Sequence, residues 1–314
     1  MKLNVLVTGC GGDIGQSIGK ILKEEGFSII IGTDLHSKHP GRFIFDHSLQ
    51  ISSCKSDHYL SDIHKLINEF KVDLIIPTSE PEIFFFHEHE IYEVDGKPVI
   101  MANPDSIEVG FDKLKTAEFL KNCGFESPKS EIIAFTDPIE FPIIVKPRRG
   151  SGGQSVIKVE NIVDFEFYRN KYPEYLAQEY LSGQDGEYTC GLFSYNDNTR
   201  SIIFQRELHR DYTGYGIVSD IPLVNEFLEE LAKRINLTGS INVQLRIRNG
   251  QPCAFEINPR FSSTVYFRHL LGFKDLIWSI TMTFGKQIET FTRPLEGTEI
   301  FKGFQEFISK PTKS

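Results

Sequence analysis

Residues 240–264 read SINVQLRIRNGQPCAFEINPRFSST, and this stretch decides the fold of the C-terminal part. Apolar and polar residues alternate on both sides of Asn249-Gly250, a dipeptide typical of tight hairpin turns. The pattern therefore predicts two antiparallel strands joined by a turn. Side chains two residues apart share one face of a strand, so Glu256 and Asn258 project together. Arg260 follows at once, in a position to meet a phosphate.

Three side chains of this hairpin, Gln244, Glu256 and Asn258, offer amide and carboxylate oxygens, the hard ligands that Mg²⁺ prefers. A strict two-residue loop at Asn249-Gly250 would pair Gln244 with Phe255 and leave Gln244 and Glu256 on opposite faces. A magnesium site therefore predicts a three-residue loop or a β-bulge. The alternative is an exposed strand face with ordinary solvated polar residues.

Length and composition indicate a globular protein with two or three compact units, because 314 residues can bury sizeable cores. No apolar run approaches the length of a membrane span, and the N-terminal MKLNVLVTG reads as a strand rather than a signal peptide. The five cysteines lack CxxC spacing, which argues against a zinc or disulfide framework. The net charge of −9 disfavours nucleic acid or an anionic membrane as a partner. We therefore expect a cytoplasmic protein.

The first 35 residues read strand, glycine loop, helix, strand. Their glycines recur as Gly9-x-x-Gly12-x-x-Gly15, and Asp34 ends the second strand. This resembles the dinucleotide fingerprint of nucleotide-sugar epimerases and related reductases. The Tyr-x-x-x-Lys signature of that family is absent from the chain. An NAD(P)-dependent epimerase or reductase therefore stays an alternative. The other interpretation is that the glycines only let the helix pack close to the strand.

A second anion-binding pattern lies in residues 141–159, FPIIVKPRRGSGGQSVIKV. A buried strand ends at Lys146, and a basic loop rich in glycine leads to the next strand. Glycine lets backbone N–H groups close on an anion, and basic side chains supply charge. The pattern predicts a phosphate-binding loop, with a flexible surface hairpin as the alternative.

Three other segments carry weaker signals. Residues 78–81, Thr-Ser-Glu-Pro, leave the carboxyl end of a buried strand, where open α/β sheets hold ligands, although helix capping is the preferred interpretation. His87-Glu88-His89-Glu90 lacks HExxH spacing and predicts a solvated helix edge. Residues 211–216 read as a loop that contains glycine.

Taken in order, these motifs resemble the ATP-grasp superfamily, particularly its carbamoyl-phosphate-synthetase-like branch. The motifs that carry the resemblance are Asp112-Lys113, Lys146-Pro147 with the glycine loop, Gln178-Glu179-Tyr180-Leu181, Glu187, Asn242-Val243-Gln244 and Glu256-Ile257-Asn258-Pro259-Arg260. The resemblance implies an α/β fold that becomes α+β in the C-terminal part. It implies a Rossmann-like pre-ATP-grasp domain over 1–110, a linker helix and lid subdomain over 111–182, and a C-terminal catalytic subdomain over 183–314.

The resemblance also implies a role for each matching residue. Lys113 and Lys146 would contact the ATP phosphates, and the glycine loop would cover these phosphates. Main-chain groups of Glu179 and Leu181 would bind adenine, and Glu187 would bind the ribose hydroxyls. The full ATP-binding set is Lys113, Lys146, Arg148, Gly150, Ser151, Gly152, Gly153, Gln178, Glu179, Tyr180, Leu181 and Glu187. The implied ligands of one or two Mg²⁺, with Mn²⁺ as a substitute, are Gln244, Glu256 and Asn258. The implied catalytic residues are Arg260, Lys146 and Arg206.

The activity implied is that of an ATP- and Mg²⁺-dependent ligase. It would activate a small-molecule carboxylate as an acyl phosphate and join it to an amine, releasing ADP and phosphate. The motifs indicate one ATP-grasp unit and no glutaminase domain, so a complete carbamoyl-phosphate synthetase is not expected. The resemblance also implies a homodimer. Candidates for holding the substrate carboxylate are Arg206, Arg210, Arg268 and residues 262–264. A catalytically silent nucleotide-binding module is the remaining alternative.

Overall fold

The structure is a computed structural model that describes residues 2–137, 140–150, 155–183, 186–209, 212–303, 305 and 307. Three members of the predicted phosphate loop, Ser151, Gly152 and Gly153, lie outside the described residues, as does Arg210. Within the described part of the chain, no helix is both long and apolar enough to cross a membrane.

The N-terminal part is a parallel sheet with flanking helices. Its elements are β1 (Asn4–Thr8), α1 (Asp13–Glu24), β2 (Ile29–Asp34), a short 3₁₀ helix (Pro40–Phe43), β3 (His47–Gln50), α2 (Tyr59–Phe70), β4 (Leu74–Ile76), α3 (Glu80–Glu88), β5 (Glu93–Val94), β6 (Lys97–Pro98) and α4 (Pro104–Gly110). Four strands lie in the order β3-β2-β1-β4, and each neighbouring pair is parallel. The order strand, loop, helix, strand predicted for the first 35 residues is confirmed, and β1 pairs with β2 in parallel.

A small antiparallel sheet follows. Its elements are α5 (Lys113–Asn122), β7 (Ser130–Ile132), a 3₁₀ turn (Ile133–Phe135), β8 (Ile143–Lys146), β9 (Ile157–Val159), α6 (Ile162–Lys171) and β10 (Leu176–Glu179). The strand order is β7-β10-β8-β9. Phe165 of α6 packs with Ile133 and Val145 in a core of its own. We call this unit the small sheet.

The C-terminal part is a six-stranded antiparallel sheet with helices against it. Its elements are β11 (Glu187–Tyr195), β12 (Asn198–His209), β13 (Tyr212–Ser219), α7 (Pro222–Arg234), β14 (Gly239–Arg248), β15 (Gln251–Asn258), α8 (Val265–Leu270), α9 (Asp275–Thr283) and β16 (Glu299–Phe301). The order is β15-β14-β11-β12-β13-β16. Helix α7 buries the predicted apolar stripe, including Val224, Leu228 and Leu231, against strand residues such as Val243.

The expectation of a loop at residues 211–216 is wrong for its described part, because β13 begins at Tyr212 and pairs with β12. Gly214 lies within β13 and does not interrupt this strand. A Cβ at Gly214 would come within 2.7 Å of the Cβ of His209, so the residue must be small for the two strands to approach.

The hairpin of β14 and β15 confirms the predicted irregularity. Its turn holds two residues, Asn249 and Gly250, with left-handed φ angles of 52° and 77°. Farther along, the pairing shifts by one residue, so Phe255 is the extra residue of a bulge and Gln244 lies opposite Glu256. The bulge therefore places Gln244 and Glu256 on the same face, as a shared metal site requires.

The N-terminal sheet packs directly on helices α8 and α9. One continuous core contains Val5, Val7 and Ile76 of the sheet together with Leu276 and Ile280 of α9. This packing holds the carboxyl edge of β4 beside the segment that follows β15. Residues distant in sequence are thereby brought to one place.

Candidate functional site

The Glu256 carboxylate is the electrostatic centre of the candidate site. Its Oε1 lies 3.5 Å from Lys113 Nζ, and its side chain is 20% exposed. Burial alone would raise the pKa of Glu256. Four positive charges outweigh burial and hold this pKa below its usual value, namely those of Lys113, Lys146, Arg260 and Arg206. The structure thus gathers four of the predicted cations around the predicted metal-ligating acid.

Lys146 ends strand β8 with its ammonium group buried. Its Nζ donates a hydrogen bond to Gln178 Oε1 at 2.8 Å, and Gln178 Nε2 donates to Ser130 Oγ at 2.8 Å. Burial lowers the pKa of Lys146 from 10.5 to about 8. Because a neutral amide orients the ammonium, its charge is not cancelled by direct hydrogen bonding to a carboxylate. Gln178, which is predicted to bind the nucleotide, also positions this lysine.

Lys113 stands at the start of helix α5, tied to the glycine loop. Its Nζ donates to Gly150 O at 2.6 Å, and its backbone N–H donates to Arg148 O at 3.0 Å. Arg148 Nε donates to Asp112 Oδ1 at 2.7 Å, and Asp112 also caps α5 through Leu114 N. Burial would raise the pKa of Asp112, but the hydrogen bond and charge of Arg148 bring it below its usual value. These contacts connect the first residues of the predicted phosphate loop to the N-terminus of helix α5.

Two arginines hold Glu187. Arg206 donates to Glu187 Oε1 through Nη2 at 2.7 Å, and Arg246 donates to Oε2 through Nη2 at 2.6 Å. Arg206 Nη2 also donates to Gln244 Oε1 at 2.8 Å. Sequence reasoning missed Arg246. The period of two along β14 could have found it, because it shares a strand face with Gln244.

The segment that leaves β10 carries the predicted adenine-binding residues. Glu179 Oε1 accepts from Arg248 Nη1 at 2.7 Å, and Leu181 O accepts from Arg246 Nη1. Lys158 Nζ lies over the ring of Tyr180, 4.7 Å from its centroid. Among the described residues, no group accepts a hydrogen bond from the N–H of Leu181.

The three predicted metal ligands share one face of the hairpin. Gln244 and Glu256 are direct cross-strand partners, and Asn258 lies two residues beyond Glu256. Arg260 Nη2 donates to Asn258 Oδ1 at 3.2 Å. One carboxylate and two amide oxygens form a donor set that fits Mg²⁺, whose remaining positions phosphates and water usually fill. No cluster of three or more His, Cys, Asp or Glu that could hold a metal exists elsewhere in the described ranges.

Arg260 joins the N-terminal part to the hairpin. It donates to Glu80 Oε1 through Nε at 3.1 Å and through Nη2 at 2.8 Å. Glu80 lies in the first turn of α3, which Ser79 caps by accepting from Glu82 N at 3.4 Å. The capping prediction for Ser79 is confirmed, whereas the contact of Glu80 with Arg260 was not predicted.

Two candidates for holding a substrate carboxylate do not reach the site. Arg268 is fully buried, with Nη2 3.0 Å from Asp275 Oδ2. A Cβ at Gly191 would lie 2.5 Å from Arg268 Cδ, so the sheet covers the arginine closely. Ser262 and Thr264 are buried and share a hydrogen bond of 2.8 Å. Arg268, Ser262 and Thr264 therefore serve interior packing, whereas Ser263 is partly exposed and its role stays a prediction.

The glycine loop of residues 9–15 is occupied by internal contacts. Asp34, which would bind ribose in a dinucleotide site, accepts from Gly11 N at 2.9 Å through Oδ2. A Cβ at Gly11 would lie 2.8 Å from the ring of His39, and a Cβ at Gly15 would lie 2.3 Å from Gly9 O. These contacts favour glycines that serve close helix–strand packing.

Sequence comparisons agree with this geometry. A family model described as the ATP-grasp domain matches residues 111–264. The carbamoyl-phosphate synthase of Methanobrevibacter smithii is 26% identical over 209 residues, which cover 60% of this chain and 56% of that protein. The carbamoyl phosphate synthase large chain of Campylobacter jejuni is 24% identical over 279 residues, covering 79% of this chain and 25% of that protein. The chain therefore spans about half or less of these relatives.

Solved structures show the same fold. The N5-carboxyaminoimidazole synthetase from Staphylococcus aureus, complexed with ADP, aligns with a TM-score of 0.72 at 19% identity, covering 92% of this chain and 79% of that one. The L-amino acid ligase from Bacillus licheniformis aligns with a TM-score of 0.67 at 16% identity, covering 88% of this chain and 73% of that one. The resemblance to the ATP-grasp family is therefore supported over residues 111–264, the part of the chain that the family model matches.

Proposed function

We propose that the protein is an ATP- and Mg²⁺-dependent ligase that joins a small-molecule carboxylate to an amine and releases ADP and phosphate. The observation that carries the proposal is the convergence of four cations on one buried acid. Lys113, Lys146, Arg206 and Arg260 come from separate elements and all act on Glu256. A triphosphate and a transferring phosphoryl group need this concentration of positive charge.

The nucleotide would lie between the small sheet and β14. Lys113 and Lys146 would bind its phosphates, and the N–H of Leu181 would donate to adenine. Glu187 would accept from the ribose hydroxyls in place of some of the four arginine N–H groups that its two oxygens accept in this structure. The adenine-binding side would then be held by Arg246, which contacts both Leu181 and Glu187.

Gln244, Glu256 and Asn258 would hold the magnesium ion. When bound, Mg²⁺ supplies Lewis-acid neutralisation of phosphate charge. The chain's own residues orient this set, since Arg206 donates to Gln244 and Arg260 donates to Asn258. Hydrogen-bonded partners of this kind typically contribute 10- to 100-fold in metal affinity or activity, to order of magnitude.

The chemistry has two steps. A carboxylate oxygen attacks the γ-phosphorus of ATP, the bond to the bridging oxygen breaks, and ADP leaves. The amine nitrogen then attacks the acyl carbon, and the carbon–oxygen bond to phosphate breaks. Arg260 would neutralise the phosphoryl group in both steps, and the small sheet, within the proposed lid of residues 111–182, would exclude water from the acyl phosphate.

The test measures ADP release and product mass with Mg²⁺, ATP and paired amino acids as acids and amines. We expect Glu256→Gln to lower the rate by at least about 100-fold, since it removes the charge of the ligand set. Glu229→Gln, an exposed change on α7, is the matched control and keeps the rate of the unaltered chain. Full activity of Glu256→Gln would refute the metal assignment. Nucleotide binding without turnover would favour a silent module.

A further inference from the structure

Glu80 is the carboxylate of the site that the proposed ligation leaves without a task. Glu256 lies among cations, and both oxygens of Glu187 accept from arginines. Glu80 uses only Oε1 to hold Arg260. Its Oε2 accepts no hydrogen bond from a described residue, and the side chain keeps 11% exposure. One carboxylate oxygen of Glu80 therefore remains without a hydrogen-bond partner among the described residues.

The position of Glu80 suits a substrate contact. It begins α3 directly after β4, at the carboxyl edge of the parallel sheet, where α/β folds bind ligands. The contact with Arg260 crosses from the N-terminal part to the hairpin. A molecule held by Glu80 would therefore lie beside the guanidinium that faces the transferred phosphoryl group.

The charge of the site creates a need for such a group. A free amine is mostly an ammonium ion at neutral pH, since an α-amino group has a pKa of about 8. Four cations around Glu256 repel an ammonium ion, and an ammonium nitrogen has no lone pair with which to attack. The amine needs a carboxylate that binds the cation and takes up its proton.

We propose that Glu80 binds the ammonium form of the second substrate and accepts a proton from it, which makes that substrate a cationic amine. This inference rests on the proposed ligation. The ammonium gives one proton to Glu80 Oε2, and the freed lone pair forms the carbon–nitrogen bond. The carbon–oxygen bond to phosphate then breaks, phosphate leaves with that electron pair, and it takes the second proton from nitrogen.

The contact with Arg260 fits this role. The guanidinium fixes Oε1 through two hydrogen bonds, so Oε2 has a defined direction. The same guanidinium contacts Asn258, which places the amine next to the reacting acyl group rather than elsewhere in the cleft.

The test compares two nucleophiles in Glu80→Gln. Amino acids serve as acids with Mg²⁺ and ATP, and the acceptor is either an amino acid or hydroxylamine, which is largely uncharged at neutral pH. A neutral nucleophile needs no proton acceptor before attack. We therefore expect the ratio of amide to hydroxamate formation to fall by about 100-fold or more, the usual range for a lost general base. Glu88→Gln, exposed on the same helix, is the control and keeps the ratio.

Each outcome decides the inference. An equal loss of both products would show that Glu80 only steadies Arg260, and retention of both would show that it has no part in the reaction; either result overturns the proposal. Thermal unfolding of Glu80→Gln checks that the fold persists. If the unaltered chain forms neither amide nor hydroxamate, the proposed ligation itself fails and this inference falls with it.

Discussion

The buried ammonium of Lys146 predicts that nucleotide binding takes up a proton. Burial lowers the pKa of Lys146 from 10.5 to about 8, with Gln178 as its hydrogen-bond partner. A bound triphosphate favours the charged lysine and raises this pKa again. Below pH 8 the lysine is charged in both states, so proton uptake is small there. Above pH 8 the free protein has lost the proton and must regain it on binding.

The size of the effect follows from the same values. Uptake reaches about half a proton at pH 8 and approaches one proton near pH 9. Affinity for the nucleotide then falls about tenfold per pH unit above 8, up to the pKa of the bound state. Recovery of the ordinary pKa corresponds to about 3 kcal/mol, which limits the total. For folding, the sign is opposite: the unfolded chain binds this proton more strongly, so the unfolding free energy rises between pH 8 and 10.5.

The assay is titration calorimetry with Mg²⁺ and a non-hydrolysable ATP analogue at two pH values, roughly 7 and 8.5, chosen on either side of the shifted pKa. Two buffers with different ionisation enthalpies report the number of protons taken up. Lys146→Arg is the matched variant, because arginine stays charged throughout this range and removes the uptake. The reasoning is refuted if the unaltered protein shows no dependence on the buffer at the higher pH, or if Lys146→Arg shows the same dependence.

Other predictions concern packing and specificity. Arg268→Met leaves Asp275 buried without its counter-charge and is expected to lower the unfolding free energy by about 3–5 kcal/mol in urea denaturation; adding Asp275→Leu recovers part of it, and an additive loss would contradict this. Arg248→Met removes the hydrogen bonds to Glu179 and Glu126, so we expect faster hydrogen exchange at residues 126–129; unchanged exchange would show that these contacts do not order this segment. Fluorescence titration is expected to show no NAD⁺ binding, because Asp34 already serves the glycine loop; saturable binding would reverse that assignment.

The elements predicted well are those whose apolar residues keep one period. Strand β14 is one of them, because Val243 and Leu245 are buried and Ile247 packs against the same core, whereas the bulge at Phe255 interrupts the alternation of β15. Helix α6 was not predicted, because Val163 and Phe167 are exposed while Phe165 is buried, and no single apolar stripe marks it. Tertiary contacts with the small sheet stabilise that helix, and such contacts leave little trace in a local pattern.

The candidate site was also predicted only in part, because its residues could be named and their partners could not. Residue types and motif order were enough to name Lys113, Lys146 and Glu256, and the bulge followed from requiring Gln244 and Glu256 on one face. The partners of these residues could not be named. The pair of Glu80 with Arg260 joins residues 180 positions apart, and only the packing of the N-terminal sheet on α9 brings them together. Periodicity reports which face a side chain occupies, whereas the opposing element depends on the whole fold.

Strand β14 connects the two halves of the proposed mechanism. Its alternate residues Gln244, Arg246 and Arg248 lie on one face, because side chains of a strand repeat every two residues. The first shares a face with Glu256, the second holds Glu187 and the Leu181 carbonyl, and the third donates to Glu179 at the exit of the small sheet. A displacement of the small sheet would therefore be transmitted to β14, the strand that carries the predicted metal ligand Gln244. Closure over the nucleotide and alignment of the catalytic oxygens would then be a single structural event, since both depend on the position of this strand.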